Sequence, residues 1–434
     1  MAQSVSSAAT GGSSTFPVAT KMLPFTFMLF FIVGFVTVLV DPLVAKFKGA
    51  FELSYTEAML TQFCYFMAYF LISLPASRVL DRLGYLRGAI VGFSTVGIGI
   101  LLFIPAIEIA KFWVFLAALF VIATGVTMIQ VVMNPLASGL GPAATAPQRL
   151  TLAQAFNSVA TMIAPLVAGY IIFDAVTDGA APATGVDAAT ALRVLETPCL
   201  ILAGVMFAIA IAFWTLRGNE KVERRETSHW HMPSLSENPR LAFGALCIFT
   251  YVGAEVAIGS LMINYLGLES TLALPEHSAT HYLAYYWGGA MVGRFIGSVV
   301  MSKVSPARVL AVCALIAAAL ATVSALTTGV VSAYAVLGIG LFNSIMFPTI
   351  FSLSVKDMDD QTPAASGLLC LAIVGGALVP VLTGKIADMT NLHAALFVPV
   401  LCYLSIIVFA MLCARSVLEN RVGRQAKAGV ALAK

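Results

Sequence analysis

The chain has 434 residues, of which 60% are hydrophobic and 10% charged, with a formal net charge of +3 and a mean hydropathy of +0.94. A soluble domain is about 25% charged. So little charge excludes a water-soluble globule and leaves most of the outer surface to lipid, while the small net charge points to no nucleic-acid partner.

The first 22 residues are small and polar with no basic n-region, which reads as a disordered cytoplasmic tail and not a cleaved signal peptide. Crossing ~30 Å of hydrocarbon takes about 20 residues. Twelve apolar stretches reach that length, at 23–45, 54–80, 86–106, 112–139, 149–174, 194–217, 240–266, 279–303, 306–328, 331–355, 362–387 and 392–415. The fold class expected is all-α integral membrane, with twelve transmembrane helices in two six-helix bundles and both termini cytoplasmic. The bundles occupy 23–217 and 240–416, with a charged connector at 218–239 and a cytoplasmic tail at 417–434. Orientation follows from the 24 Lys and Arg: 18 fall on the side of the N-terminus, 5 on the other, and Arg294 lies inside a span.

A carboxylate at mid-bilayer costs roughly 2.5–3.5 kcal/mol on insertion scales, so each intramembrane charge needs a reason. Asp41 sits in the outer third of span 1, followed by Pro42. Two readings stand: a turn cap in contact with external water, or a carboxyl that binds and gives up a proton. Between spans 2 and 3 a cytoplasmic loop carries Arg78, Asp81, Arg82 and Arg87. Gating is one role for them, with Asp357, Asp359 and Asp360 as partners; fixing topology is the other. Span 4 has Gln130 and Asn134 one turn apart, and span 5 has Gln154, Asn157 and Thr161 on one face. In span 7, Glu255 either pairs with Arg294 of span 8 or binds substrate or ion. Asn264 lies half a turn from Glu255 in a straight helix, and the two share a cavity only if the helix bends at Gly253 or Gly259. Asn343 sits in span 10, and Tyr65, Tyr69, Tyr251, Tyr285 and Trp287 are aromatics that can cover an apolar ligand face. Amides of this kind serve either as interhelical glue or as partners for a neutral, hydroxyl-rich ligand. Two echoes link the halves: Pro165-Leu166-Val167-Ala168-Gly169 with Pro380-Val381-Leu382-Thr383-Gly384, and Asn134 and Pro135 with Asn343 and Pro348. None of the five histidines lies at mid-depth, the seven cysteines read as free buried thiols, and no metal or nucleophile–base set points to an enzyme.

The loop at 77–87 resembles the signature that major facilitator proteins carry between spans 2 and 3. The runs FELSYTEAMLTQFCYFMAYFLISLPA, GVTMIQVVMNPLASGLGP, RLTLAQAFNSVATMIAP, YVGAEVAIGSLMINYLG, YYWGGAMVGRFIGS and LFNSIMFPTIFSLSV resemble the fucose/glucose/galactose permease branch of that superfamily. The resemblance implies a sugar:cation symporter with alternating access, its sugar held between the two halves. In fucose-transporting members an Asp in span 1 and a Glu in span 4 take protons. Asp41 matches the first, preceded by Val40 where relatives carry Asn, and Gln130 stands at the second.

The resulting expectation is uptake of a neutral hexose such as glucose, galactose or mannose across a bacterial inner membrane. Coupling runs through Asp41 to co-transported H+, with Na+ as the alternative and no bound cofactor or metal. Substrate contacts are expected from Gln130, Asn134, Gln154, Asn157, Glu255, Asn264, Asn343 and Trp287, and gating from Arg78, Asp81, Arg82, Arg87 and Arg294. A monomer is expected, with the monosaccharide and the lipid bilayer as its partners. Fucose or N-acetylglucosamine as substrate, a drug exporter and a membrane sugar sensor are the competing readings.

Overall fold

The computed structural model describes residues 23–35, 55–109, 111–168, 193, 196–216 and 230–432. Asp41, the N-terminal tail and most of the connector lie outside them. The first half runs through α1 (Leu23–Phe35), α2 (Tyr55–Leu101), α3 (Phe103–Ile109), α4 (Phe112–Gly139), α5 (Ala146–Ala168) and α6 (Glu196–Leu216). The second runs through α7 (Pro239–Gly267), α8 (Glu276–Lys303), α9 (Pro306–Leu326), α10 (Gly329–Asn343), α11 (Met346–Ser354), α12 (Thr362–Leu371), α13 (Gly375–Met389), α14 (Leu392–Ala395) and α15 (Phe397–Leu432). No strand occurs among the described residues.

Eight stretches of described helix are long and apolar enough to cross a membrane. One of them, Phe63–Ile109, has 47 residues, which at 1.5 Å per residue is about twice the hydrocarbon thickness. It merges the expected spans 2 and 3. They meet at Gly84, whose φ of 77° and ψ of 178° interrupt α2; only glycine takes that backbone conformation without strain. The expected span 10 is likewise divided into α10 and α11 at Ser344 and Ile345, and span 11 into α12 and α13 by a 3-10 turn at Ala372–Val374.

Helices in lipid gain nothing from hiding apolar surface from water, so they associate where small residues let backbones approach. Gly289, Gly293 and Gly297 recur every fourth residue along one face of α8. A methyl group added at Gly293 would strike the Leu341 carbonyl of α10 and the Ser344 side chain just after it, and one at Gly297 would strike Ile345. Gly293→Ala is therefore expected to destabilise the protein by about 1–3 kcal/mol through overpacking. The melting temperature of the purified protein checks this, and an unchanged value rules out close α8–α10 contact.

Aromatic packing joins α1 to its own half. Phe27 stacks on Phe156 of α5 with centroids 5.2 Å apart, and Phe25 meets Phe213 of α6 at 4.8 Å. Among the described residues the hydrogen bonds between the halves gather in a seam toward one end. Ser138 and Ser352 share a hydrogen bond of 3.3 Å, Ser298 Oγ donates to the Gln148 carbonyl at 3.2 Å, and Arg294 donates to Ser158. Gly367 of α12 lies against Ser73 and Ser77 of α2. Ser138, Ser352, Gln148 and Ser298 all lie near the helix ends that the Lys and Arg distribution assigns to the cytoplasm.

Candidate functional site

The amides expected in the first half come together only in part. Asn134 Nδ2 donates to Gln130 Oε1 at 3.1 Å, one helical turn away. Asn134 is fully buried and its Oδ1 has no partner, whereas Gln130 is partly exposed. Gln154 is buried. Asn157 spends its amide on the Phe30 carbonyl of α1 at 2.9 Å, an interhelical tie that holds α1 on α5.

The second half builds a separate polar cluster. Tyr251 Oη donates to Glu255 Oε1 at 2.7 Å, and Asn343 Nδ2 donates to Tyr286 Oη at 3.0 Å. The Tyr286 hydroxyl in turn points at the Glu255 carbonyl, 3.5 Å away. Asn343, like Asn134, is buried with its Oδ1 unpaired, and the Tyr403 hydroxyl beside it is also unpaired. Trp287 is 42% exposed and lies over Gly259, one turn beyond Glu255. α7 runs unbroken through Gly253 and Gly259. Gly253 serves close packing against Val379 and the Gly375 carbonyl of α13. Asn264 is therefore left exposed on the opposite face from Glu255.

Glu255 and Arg294 form no ion pair. The Arg294 guanidinium instead donates from Nε to the Ser344 carbonyl at 3.3 Å and from Nη1 to Ser158 of the first half.

Proline frees two of the carbonyls used near the seam. A proline in a helix lacks the N–H that would bond to the carbonyl four residues earlier. Pro135 thereby frees the Val131 carbonyl, and Ser366 Oγ of the other half takes it at 2.9 Å. Pro348 stands four residues after Ser344, whose carbonyl Arg294 takes. The echo of Pro135 and Pro348 thus supplies one open acceptor in each half: the first is taken across the seam, the second by Arg294 of its own half, which also reaches Ser158 of the other.

The Major Facilitator Superfamily profile matches residues 26–380. The chain belongs to the Major Facilitator Superfamily. It is 44% identical over 396 residues to the glucose/galactose transporter of Brucella abortus, covering 90% of this chain and 93% of that one. It is 31% identical over 408 residues to the L-fucose-proton symporter of Escherichia coli, covering 90% and 92%. The crystal structure of the superfamily transporter FucP in the outward conformation superposes with a TM-score of 0.81 at 30% identity, over 91% of this chain and 99% of that one.

As a superfamily member, this chain is a membrane transporter, and its expected gating residues can be placed. Arg78 stacks on the Trp230 ring at 4.2 Å, and Trp230 Nε1 donates to Ser77 Oγ at 3.1 Å. The adjacent His231 lies 2.7 Å from Gln361 of the second half. The end of the connector thus touches both halves. Asp357 pairs with Arg240 at 3.3 Å and not with the arginines of the 77–87 loop.

Sequence reading missed Arg149, which it counted only as a topology charge. Arg149 is buried, and its guanidinium spans the carboxyl end of α4. It donates to the carbonyls of Ala137 (3.3 Å), Ser138, Gly141 (3.3 Å) and Pro142 (3.0 Å), and to Thr145 Oγ1 (2.5 Å). Helix ends leave carbonyls without intrahelical partners, so an arginine ten residues past a helix end was the available signal. Tyr286, Tyr403, Ser158 and Trp230 were also not foreseen in their roles. Nothing in their local spacing marks them.

Proposed function

We propose that this chain takes up a neutral monosaccharide, a hexose, by proton-coupled symport across a bacterial inner membrane. Two six-helix halves, 23–217 and 240–416, rock about a central site, with twelve spans and both termini in the cytoplasm. The observation that carries the reading is the neutral amide pair of α4: the partly exposed Gln130 hydrogen-bonded to Asn134, with Gln154 on the next helix and no lysine among them. Amides give a sugar hydroxyl both a donor and an acceptor, while an anionic substrate would call for cations. Glu255, Asn343 and Trp287 form the facing wall, with Asn264 nearer the outer mouth. Likeness to a glucose/galactose transporter supports a hexose, and likeness to a fucose-proton symporter supports the proton.

Asp41 is the coupling carboxyl in this reading, since Gln130 cannot titrate. The hydrogen bonds between the halves at the cytoplasmic end, together with likeness to an outward conformation, support an outward-facing state closed to the cytoplasm. Arg78, Asp81, Arg82, Arg87 and Arg294 gate that closure.

Proteoliposome uptake over glucose, galactose, mannose, fucose and N-acetylglucosamine, with a proton or a sodium gradient imposed separately, tests the reading. The expected result is hexose accumulation driven by the proton gradient alone and collapsed by a protonophore. Accumulation driven only by sodium overturns the coupling ion, and no movement of any sugar overturns the substrate class.

A further inference from the structure

Glu255 and Arg294 are the two intramembrane charges of the second half, on adjacent helices, and the structure keeps them apart. Arg294 sits on α8, which packs against the α7 of Glu255. Its guanidinium is nevertheless held by two neutral acceptors, the Ser344 carbonyl and the Ser158 hydroxyl. Five N–H donors on a fixed cation match a carboxylate far better than this pair does. Glu255 for its part receives a single phenol, from Tyr251. The other groups that face it are Tyr286 of α8 and Tyr403 of α15, both uncharged phenols. α13 presents Val379 and backbone to the same stretch of α7. Neither charge has its best partner in the closed-seam state, and each has the other within reach.

What keeps them apart is the seam. Ser158 belongs to the first half, so its bond to Arg294 exists only while the cytoplasmic ends touch. When the halves part there, Arg294 loses Ser158 and keeps only the Ser344 carbonyl on its own half. Counted along α7 and α8, Glu255 lies about 9 Å further from the cytoplasmic end than Arg294, a gap that two extended side chains cover.

We propose that Arg294 exchanges Ser158 for Glu255 as the carrier turns from outward- to inward-facing, making Glu255 a second coupling carboxyl. While the seam is shut Glu255 holds a proton taken from external water. In that form its carboxyl both donates and accepts toward a sugar hydroxyl. Opening of the seam delivers Arg294, the carboxyl's O–H bond breaks, and the proton leaves to the cytoplasm. The Glu255–Arg294 pair then carries no net charge through the empty return, and closure of the seam pulls Arg294 back to Ser158. One proton crosses at this site per turnover, and no electron moves. The proposal rests on the symport reading above and places a carboxyl in the half opposite to Asp41.

The test is a charge-paired set of variants in proteoliposomes, read by hexose counterflow and by a distance that needs no sugar. Glu255→Gln strands Arg294 in the inward-facing state, so counterflow is expected to fall at least tenfold. Arg294→Gln strands the carboxylate and is expected to slow counterflow as well. The double variant removes both charges, and its counterflow is expected to exceed that of Glu255→Gln by at least threefold, while net proton-driven accumulation stays lost. A double variant no faster than Glu255→Gln overturns the exchange. Spin labels at Ser138→Cys and Ser352→Cys, in a protein whose native cysteines are replaced, report the seam directly. Glu255→Gln is expected to shift that distance distribution toward the closed form relative to the labelled parent, and an unshifted distribution overturns the proposal. If wild-type protein moves no sugar, the transport reading fails on its own and the distance measurement still decides the exchange.

Discussion

Asp41→Asn is expected to abolish accumulation of hexose against its gradient while sugar-for-sugar counterflow continues. A carrier that concentrates sugar must return empty, and that return requires the coupling carboxyl to have lost its proton. Asn imitates the protonated form permanently, so the loaded carrier still exchanges sugar across the membrane but the empty one is trapped. The same logic fixes a pH signature. In wild type, net uptake falls as external pH rises through the range where the carboxyl no longer fills from outside; counterflow by Asp41→Asn is expected to lose the part of that dependence due to Asp41. Glu255 does not mask the result, because blocking the empty return at either carboxyl stops net transport. Uptake of labelled hexose into energised proteoliposomes, compared with counterflow in the same preparation, checks it. Retained accumulation by Asp41→Asn removes Asp41 from the coupling step.

The membrane class was legible because it depends on composition and on run length, which are local properties of the chain. The breaks inside spans 10 and 11 were less so: Pro348 follows the first, but Pro380 lies inside α13 and not at the second, and helices in lipid tolerate proline whenever a neighbour satisfies the freed carbonyl. Which neighbour does so was not legible at all. Ser366 reaches Val131 across 235 residues, and Ser158 meets Arg294 across 136; no periodicity encodes such pairs. The candidate site divides in the same way. Gln130 and Asn134 were readable as a pair because they are one turn apart on one helix. The cluster of Tyr251, Glu255, Tyr286, Asn343 and Tyr403 draws on four helices, and only its two α7 members sit at helical spacing. Glu255 with Arg294 shows the limit most clearly, since charge left an ion pair and a ligand role both open and the structure gives the arginine Ser344 and Ser158 instead.

Arg149→Met is expected to lower the stability of the purified protein by about 3 kcal/mol or more, the sum of two charged hydrogen bonds at the lower end of their usual worth. For a chain of 434 residues that corresponds to a fall in melting temperature of the order of 3 °C. Methionine keeps the volume and the apolar stem but leaves the carbonyls of Ala137 and Ser138 unsatisfied in a buried place, where they lack water to turn to; those of Gly141 and Pro142 lie nearer the surface. Lysine at the same position preserves the positive charge at the carboxyl end of α4, yet a single ammonium cannot reach a fan of carbonyls that a planar guanidinium spans. Arg149→Lys is therefore expected to recover only part of the loss. If the two variants melt together, charge contributes nothing and the fork geometry accounts for the whole effect; if both melt with wild type, the cap is not stabilising. The consequence for transport follows from position, because Ser138, one of the capped carbonyls, also carries the hydroxyl that meets Ser352 across the seam. Loosening the end of α4 weakens cytoplasmic closure along with the fold, so folded Arg149→Met protein is expected to favour the inward-facing state.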